Sequence, residues 1–267
     1  MLNKKRYIIC FEFLGAAFFG SQKQKDKRTV QQEIEKAICT LTKDRISIFL
    51  SGRTDAKVSA KFQCAHFDSG SIIENFDKFL YSLNSILPSD IKVFEIKEVS
   101  KTFHAQKSAK YKHYRYSILN DPVASVFSDS YLFYPYHKLD IERINKSLSY
   151  LVGYHDFSAF KSKSTNPYND CTIYYARACQ KKVNRSNFIF IDIIGNRFLY
   201  NMVRTIVGEV LFIERSNLDC LTMKKVLDSK NRAKAADVQE AKALCLEYVG
   251  YNDVNLYIQK KFIKEGK

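Results

Sequence analysis

The sequence predicts an α+β protein made of two halves, and three observations lead to that class. Apolar residues make up 46% of the 267 residues, enough for one large globular core or two modest ones. Short runs typical of strands are interleaved with stretches of helical 3-and-4-residue periodicity. The first part of the chain has the order β-α-β-β-α-β, the ferredoxin-like arrangement. We expect one half over residues 1–120 and another over residues 121–267.

The first half is predicted to hold four strands and two helices. Residues 7–13 are rich in β-forming side chains and form the first strand. Thr29 begins a helix, with Gln32 at the spacing of a capping box. A second amphipathic helix has a stripe running from Ile72 to Leu87 and ends at Pro88. The other strands are predicted over residues 46–50, 62–67 and 91–99.

The second half shows similar alternation of element types. Residues 113–118 form a predicted strand with Tyr114 and Tyr116 on one face. Asp140 is expected to cap a helix, and two strands follow over residues 173–179 and 188–194. The second of these is apolar throughout and is predicted to be central. A turn at residues 195–196 leads into an apolar-striped helix, and residues 244–249 form a last strand.

The charge balance favours a polyanionic partner. Lys and Arg number 43 against 28 Asp and Glu, which gives a net charge of +15 and a pI of about 9.4. Nucleic acid is the first candidate, because 20 Phe and 17 Tyr also offer rings that stack on bases. The alternative is a lysine-rich surface that only keeps the protein in solution.

Several classes of protein are disfavoured by missing patterns. The seven Cys are widely spaced without a C-x-x-C pair, so we expect reduced thiols, and no His, Cys or Asp cluster has metal-ligand spacing. Phosphate-binding glycine motifs are absent, so no metal and no nucleotide cofactor is expected. Neither a signal peptide nor an apolar run of about 18 residues is present, which predicts a soluble, cytoplasmic protein.

The stretch SGRTDAKVSA follows a predicted strand and places a candidate catalytic carboxylate in a turn. Gly52 allows the backbone to turn sharply after the strand. Arg53 and Asp55 are two residues apart, so in extended chain both side chains leave on the same side. A nearby guanidinium would lower the pKa of Asp55 and keep it ionised as a nucleophile or general base. The alternative is an Asx turn with an exposed ion pair.

Two further stretches carry candidate binding residues. FHAQKSAKYKHYRY interleaves rings and cations in a pattern that suits RNA, with Tyr114 and Tyr116 as stacking candidates or as core residues. Gln63 and His66 follow the Asp55 turn, and His66 is alternatively a structural histidine.

A third stretch is GNRFLYNMVRTIVGEVL, read as a helix. Asn201, Arg204 and Gly208 share a face away from the apolar stripe. Arg204 could there reach a carboxylate or phosphate, or it could extend along the surface into solvent.

Taken together, the stretches resemble the TruA family of tRNA pseudouridine synthases. The first is SGRTDAKVSAKFQCAHFD, similar to the family's GRTDAGVHA…Q…HF, and the second is FHAQKSAKYKHYRY, similar to FHAR-S-A…Y-x-Y. The others are YLVGYHDFSAF, similar to G-x-x-DF-S-F, and GNRFLYNMVRTIVGEVL, similar to GN-FL-x-x-MVR-x-IVG. The resemblance covers about residues 7–250, and four ordered motifs are far more specific than one.

The resemblance implies two ferredoxin-like halves that share a largely antiparallel central sheet with helices packed on it. It implies a cofactor-free homodimer that isomerises uridine to pseudouridine in the anticodon stem-loop of tRNA, at positions 38 to 40, with the tRNA in a basic cleft. The implied catalytic residues are Asp55, Tyr114, which stacks on the target base, and Arg204, which pairs with Asp55. The substrate-binding candidates are Arg53, Gln63, His66, Tyr116 and Asn201.

The chain departs from the family pattern at five positions near these motifs. Lys57 and Ser59 stand where the family has Gly and His, and Ser21 where it often has Trp. Gln106 replaces an Arg, and Ala243 replaces a Gly. These differences leave two alternatives: a pseudouridine synthase with another tRNA position or another RNA as target, and an RNA-binding module without catalysis.

Overall fold

A computed structural model describes residues 4–124, 126, 130–165, 167–183 and 185–263. The chain divides into two compact units. Unit 1 is Met1–Lys110 with Leu246–Tyr251, and unit 2 is Tyr111–Cys245 with Asn252–Lys267. The structural division thus precedes the strand that begins at Tyr111, whereas the predicted boundary near residue 120 followed it. That strand goes with unit 2 because its partner in antiparallel pairing is the strand Ser186–Gly195.

The strands of the described residues are β1 (Lys5–Phe13), β2 (Phe49–Leu50), β3 (Ser59–Ser69), β4 (Ile91–Val99), β5 (Tyr111–Leu119), β6 (Leu132–Phe133), β7 (Gly153–Asp156), β8 (Asp170–Val183), β9 (Ser186–Gly195) and β10 (Leu244–Gly250). The helices are α1 (Val30–Thr42), α2 (Phe76–Ile86), α3 (Ile141–Ser149), α4 (Met202–Arg215), α5 (Leu221–Ser229) and α6 (Val254–Ile258). The predicted α+β class is confirmed in both units.

Unit 1 has the predicted order β-α-β-β-α-β. Strand β1 lies between β4 and β3 and is antiparallel to both, with Tyr7 opposite Phe67 and Ile9 opposite Ala65. The apolar stripe of α1 is buried through Ile34 and Ile38, as its periodicity predicts. The core of this unit therefore lies between the sheet and its helices.

Three details of unit 1 differ from the prediction. Strand β2 contains only Phe49 and Leu50, although Ile46 and Ile48 are buried as expected. The capping box at Thr29 is wrong: Thr29 is the N-cap residue in extended conformation, but its hydroxyl has no partner among the described residues. Helix α2 begins after Asn75 rather than near Ile72, because the Asn75 side chain accepts the Lys78 amide and caps it.

Unit 2 contains the strand order β5-β9-β8-β7, and each neighbouring pair is antiparallel. The predicted central position of β9 is confirmed, since β5 and β8 flank it. The predicted cap of α3 is confirmed as well: the Asp140 carboxylate accepts the amides of Glu142 and Arg143. Strands β6 and β7 and helices α5 and α6 were not predicted.

The start of α4 also differs from the prediction. Asn201 has a φ of +61°, so it lies in the left-handed region directly before the helix instead of within it. Helix α4 is otherwise buried along most of its length, as expected from its apolar stripe. Within the described residues, no helix is both long and apolar enough to cross a membrane.

Candidate active site

The loop that carries Asp55 joins β2 to β3 in unit 1. Burial alternates along it: Thr54 is only 7% exposed, whereas Arg53 is exposed and Asp55 is half-buried. This alternation agrees with the predicted extended backbone, in which Arg53 and Asp55 leave on the same side. A turn follows Asp55, in which the Val58 amide donates to the Asp55 carbonyl at 3.2 Å.

Gln63 holds the first part of this loop from strand β3. Its side-chain carbonyl accepts the Ser51 hydroxyl, and its amide nitrogen donates to the Gly52 carbonyl at 3.1 Å. Gln63 is fully buried. The substrate contact predicted for Gln63 therefore has no support from its placement, which instead makes it part of the frame around Asp55.

Residues 15–18 hold the second part of the loop. The Lys57 amide donates to the Phe18 carbonyl at 3.2 Å, and the Gly15 amide donates to the Ser59 hydroxyl at 3.0 Å. Lys57 has a φ of +68°, the left-handed conformation that glycine adopts most easily. Two of the departures from the family pattern thus occur where the loop backbone is most constrained.

His66 lies in β3 and contacts a group of aromatic rings. Its Nδ1 accepts the Ala105 amide at 3.1 Å, and its ring stacks on Phe49 with centroids 5.0 Å apart. Burial, together with the charge of Arg6, lowers the pKa of His66 to about 4, so the ring is neutral at physiological pH. These contacts favour the structural interpretation of His66 over substrate binding.

Arg204 lies in the first turn of α4 in unit 2, where hydrogen bonds to Asn201 and Gln239 hold its side chain. Its Nη1 donates to the Asn201 side-chain oxygen at 2.8 Å, and its Nε donates to the Gln239 carbonyl at 2.7 Å. Asn201 is itself fixed, since its amide nitrogen donates to the Ser162 hydroxyl at 2.9 Å. Arg204 therefore lies beside Asn201, although Asn201 precedes the helix, and Arg204 does not extend freely into solvent.

Gly208 explains how residues 236–240 come so close to α4. A Cβ atom at Gly208 would lie 2.0 Å from the Asp237 carbonyl oxygen, so only glycine fits there. At the next residue, the buried Glu209 carboxylate accepts the Ala236 amide at 2.8 Å. Burial raises the pKa of Glu209. The space that a side chain at position 208 would need is thus filled by the protein's own backbone.

Tyr114 and Tyr116 point to the same side of β5 but differ in surroundings. Tyr114 is 7% exposed and meets Phe198 edge to face, with ring centroids 5.0 Å apart. Tyr116 is fully buried, and its hydroxyl donates to the Glu240 carbonyl at 3.0 Å. This placement favours the core interpretation of Tyr116 over substrate binding.

Lys112 is a residue that the sequence analysis missed. It stands two positions before Tyr114 in β5 and so points to the same side of that strand. Burial, together with the charge of Arg197, lowers the pKa of Lys112 to about 8. The two-residue spacing from Tyr114 places Lys112 on the same face of the strand, but periodicity alone does not reveal that Lys112 is buried.

No group of three or more His, Cys, Asp or Glu side chains within the described ranges could hold a metal ion. The seven cysteines are free, as expected. Cys10 and Cys64 face each other across β1 and β3, and their mutual contact raises the pKa of the Cys10 thiol.

Comparison with known proteins gives a consistent result. A family model described as tRNA pseudouridine synthase matches residues 9–106 and 148–252, more than half of the chain. A Clostridium acetobutylicum protein named tRNA pseudouridine synthase A is 37% identical over 92% of this chain and its own full length. A protein of the same name from Brevibacillus brevis is 36% identical over 94% of this chain, also across its full length. The Bacillus cereus protein named tRNA pseudouridine synthase A 1 is 38% identical over 90% of this chain and 96% of its own.

Proposed function

The chain belongs to the TruA family of tRNA pseudouridine synthases, which isomerise uridine in tRNA, and we propose that its targets are the uridines of the anticodon stem-loop at positions 38 to 40. The observation that carries this proposal is similarity over nearly the full length of relatives named tRNA pseudouridine synthase A. The four motifs in the sequence agree with it.

The reaction defines what the site has to supply. The glycosidic bond between N1 and C1′ breaks, the uracil turns, and a bond forms between C5 and C1′. C5 then loses its proton and N1 gains one, so that the product is an isomer of the substrate. Every heavy atom is retained and no electrons are gained or lost, so the conversion requires no redox partner. It requires a carboxylate near the sugar and the base, and a surface for a base that has left its stack.

We assign these tasks to the residues of the matching motifs. Asp55 is the proposed catalytic carboxylate, acting as nucleophile or as base towards the sugar, and Tyr114 is the proposed stacking surface. Arg204 is proposed to pair with Asp55. Support comes from the loop contacts that restrain Asp55 within unit 1 and from the two bonds that orient Arg204 within unit 2.

The proposed partners follow from charge and from the family. The net charge of +15 suits the phosphate backbone of tRNA. Arg53 is exposed beside Asp55 and is proposed to contact that backbone. We propose a homodimer, which sedimentation of the purified protein would test, and action in the cytoplasm.

The test maps pseudouridine in tRNA from cells with and without this protein, and in tRNA treated with purified enzyme. We expect signal at positions 38 to 40 only when the wild-type protein is present. Asp55→Asn should abolish the signal while tRNA still binds, because Asn keeps the shape of the side chain and removes its charge. Asp77→Asn is the matched control, because it removes one exposed carboxylate from α2 of the same unit.

Other outcomes distinguish the alternatives. Signal that disappears from sites outside the anticodon arm would favour a synthase with a different target. If no pseudouridine signal disappears from cells that lack the protein, an RNA-binding module without catalysis is favoured. Turnover by purified Asp55→Asn above the level of a mock preparation would remove Asp55 from the catalytic role.

A further inference from the structure

Ser21 makes a reciprocal pair of hydrogen bonds with the residue before Asp55. Its amide donates to the Thr54 carbonyl at 3.1 Å, and its hydroxyl accepts the Thr54 amide at 2.8 Å. Ser21 is fully buried, and Thr54 nearly so. Water therefore cannot readily replace the serine hydroxyl as acceptor for the Thr54 amide.

The backbone around Ser21 is itself restrained. Gly20 has a φ of +97°, and a Cβ there would lie 2.9 Å from the Thr54 carbonyl oxygen. On its other side, the Ser21 carbonyl accepts the Gln31 amide at 2.9 Å, in the first turn of α1. Ser21 thus links α1 to the loop through three hydrogen bonds.

The contacts of Ser21 lie between two other points at which the loop is restrained. The side-chain hydroxyl of Thr54 is buried without a partner among the described residues, so Thr54 is held by its main chain. Gln63 restrains the loop at Gly52 and Phe18 restrains it at Lys57. Between these points, the bonds of Ser21 hold the peptide that leads directly into Asp55.

We propose that Ser21 is a positioning residue for the isomerisation: its hydroxyl fixes the Thr54 amide and thereby the direction in which the Asp55 carboxylate approaches the nucleotide. This inference rests on the proposed function of Asp55. The Ser21 hydroxyl acts through the position of the Asp55 carboxylate. A displacement of about 1 Å at a reacting group can lower the rate about 100-fold. Ser21 does not itself contact the substrate in this proposal.

The test compares Ser21→Ala and Ser21→Cys with wild type in single-turnover assays on tRNA. We expect the rate constant of isomerisation to fall at least about tenfold in Ser21→Ala, while the Kd for tRNA changes less than about twofold. Cysteine is close to serine in size but a weak acceptor, so Ser21→Cys should lie between the two. Hydrogen exchange at the Thr54 amide, followed by NMR, should accelerate at least about tenfold in Ser21→Ala.

Ser69→Ala is the matched control. Ser69 is buried in the same unit at the far end of β3, and its hydroxyl bonds to Asp44 and to the Ser71 backbone. Removing it should lower the melting temperature by an amount similar to Ser21→Ala and leave the rate of isomerisation unchanged.

Three results would overturn the proposal. The first is a wild-type rate for Ser21→Ala despite faster exchange at Thr54, and the second is a slower rate with unchanged exchange. The third applies if Ser21→Ala does not fold: it is a Ser21→Cys protein with the wild-type rate of isomerisation and wild-type hydrogen exchange at Thr54. Wild-type protein that modifies no tRNA uridine would refute the proposed function itself, which separates that failure from the failure of Ser21 alone.

Discussion

Arg204 provides the sharpest test at the scale of single residues. In the proposed pair, its charge favours the ionised form of Asp55, so Arg204→Met should raise the pKa of the carboxylate. A raised pKa means a smaller ionised fraction at neutral pH, and this fraction recovers as the pH increases. We expect activity about 10- to 100-fold below wild type at pH 7, with partial recovery towards higher pH.

The controls for Arg204 separate charge from structure. Arg204→Lys should rescue only weakly, since a point charge cannot reproduce the two-pronged contacts of a guanidinium. Arg177→Met removes an exposed arginine from β8 of the same unit and should leave the pH profile unchanged. A pH profile of Arg204→Met parallel to that of wild type would show that Arg204 contacts phosphate or only stabilises the fold.

The sequence identifies the motif residues better than the residues that hold them. Asp55 and Arg204 could be selected because charged groups in ordered motifs are visible in the sequence. Ser21 could not, because its proposed role depends on a hydrogen bond to Thr54, 33 positions away in the chain. Tyr116 shows the converse: an aromatic residue in a basic motif is a core residue, and only its burial reveals this.

At the scale of elements, the crossing of residues 236–240 over α4 depends on Gly208. Gly208→Ala would place a methyl group 2.0 Å from the Asp237 carbonyl, so either the helix or the crossing segment has to move. We expect the free energy of unfolding to fall by about 1–3 kcal/mol, as for other overpacked sites. Activity should fall as well, because the same segment supplies the Gln239 carbonyl to Arg204.

Urea denaturation and tRNA assays would measure both effects of this substitution. Gly70→Ala is the matched control, because its new Cβ would have only an ordinary contact, 3.6 Å from an Asp44 oxygen. Wild-type stability and activity of Gly208→Ala would show that residues 236–240 can move away without cost.

The elements of the fold were predictable to the extent that local signals decide them. Asp140 caps α3 as its sequence position suggests, because its carboxylate finds two amides close by in the chain. Thr29 carries the same kind of signal, yet its hydroxyl makes no bond among the described residues. Strand β2 is shorter than its apolar run because the amides of Ile46 and Ile48 donate to side chains of α1 instead of to a neighbouring strand. This is a tertiary effect that alternation does not encode.

At the scale of the whole molecule, the division into two units differs from the predicted boundary. The sequence places the boundary after the strand around residues 113–118, because the next turn signal is Asp121-Pro122. In the structure that strand, β5, pairs with β9 over residues 112–119, and Leu246–Tyr251 returns to unit 1. Strand pairing between distant segments decides to which unit each of these segments belongs, and no local sequence pattern indicates that pairing.

The net charge of +15 predicts how binding to tRNA depends on salt. Each phosphate that a lysine or arginine neutralises releases a counterion, so log K should fall linearly with log salt, by about 0.7–0.9 per contact. With six or more contacts, affinity should drop by roughly 1,000-fold or more between 50 and 200 mM salt. Filter binding across this range measures the slope.

Single lysines then locate the RNA surface. Lys107 is exposed in the basic and aromatic stretch that leads into β5. Lys107→Gln should therefore reduce the salt dependence by about one contact and weaken the binding of all tRNAs to a similar extent. Lys36→Gln, on the exposed side of α1 in the same unit, makes the same change in net charge. If both variants shift the slope equally, long-range charge and not a phosphate contact at Lys107 explains the effect. A slope near zero for the wild-type protein would mean that its excess positive charge faces away from the RNA, and tRNA affinity would then have to come from stacking and hydrogen bonds.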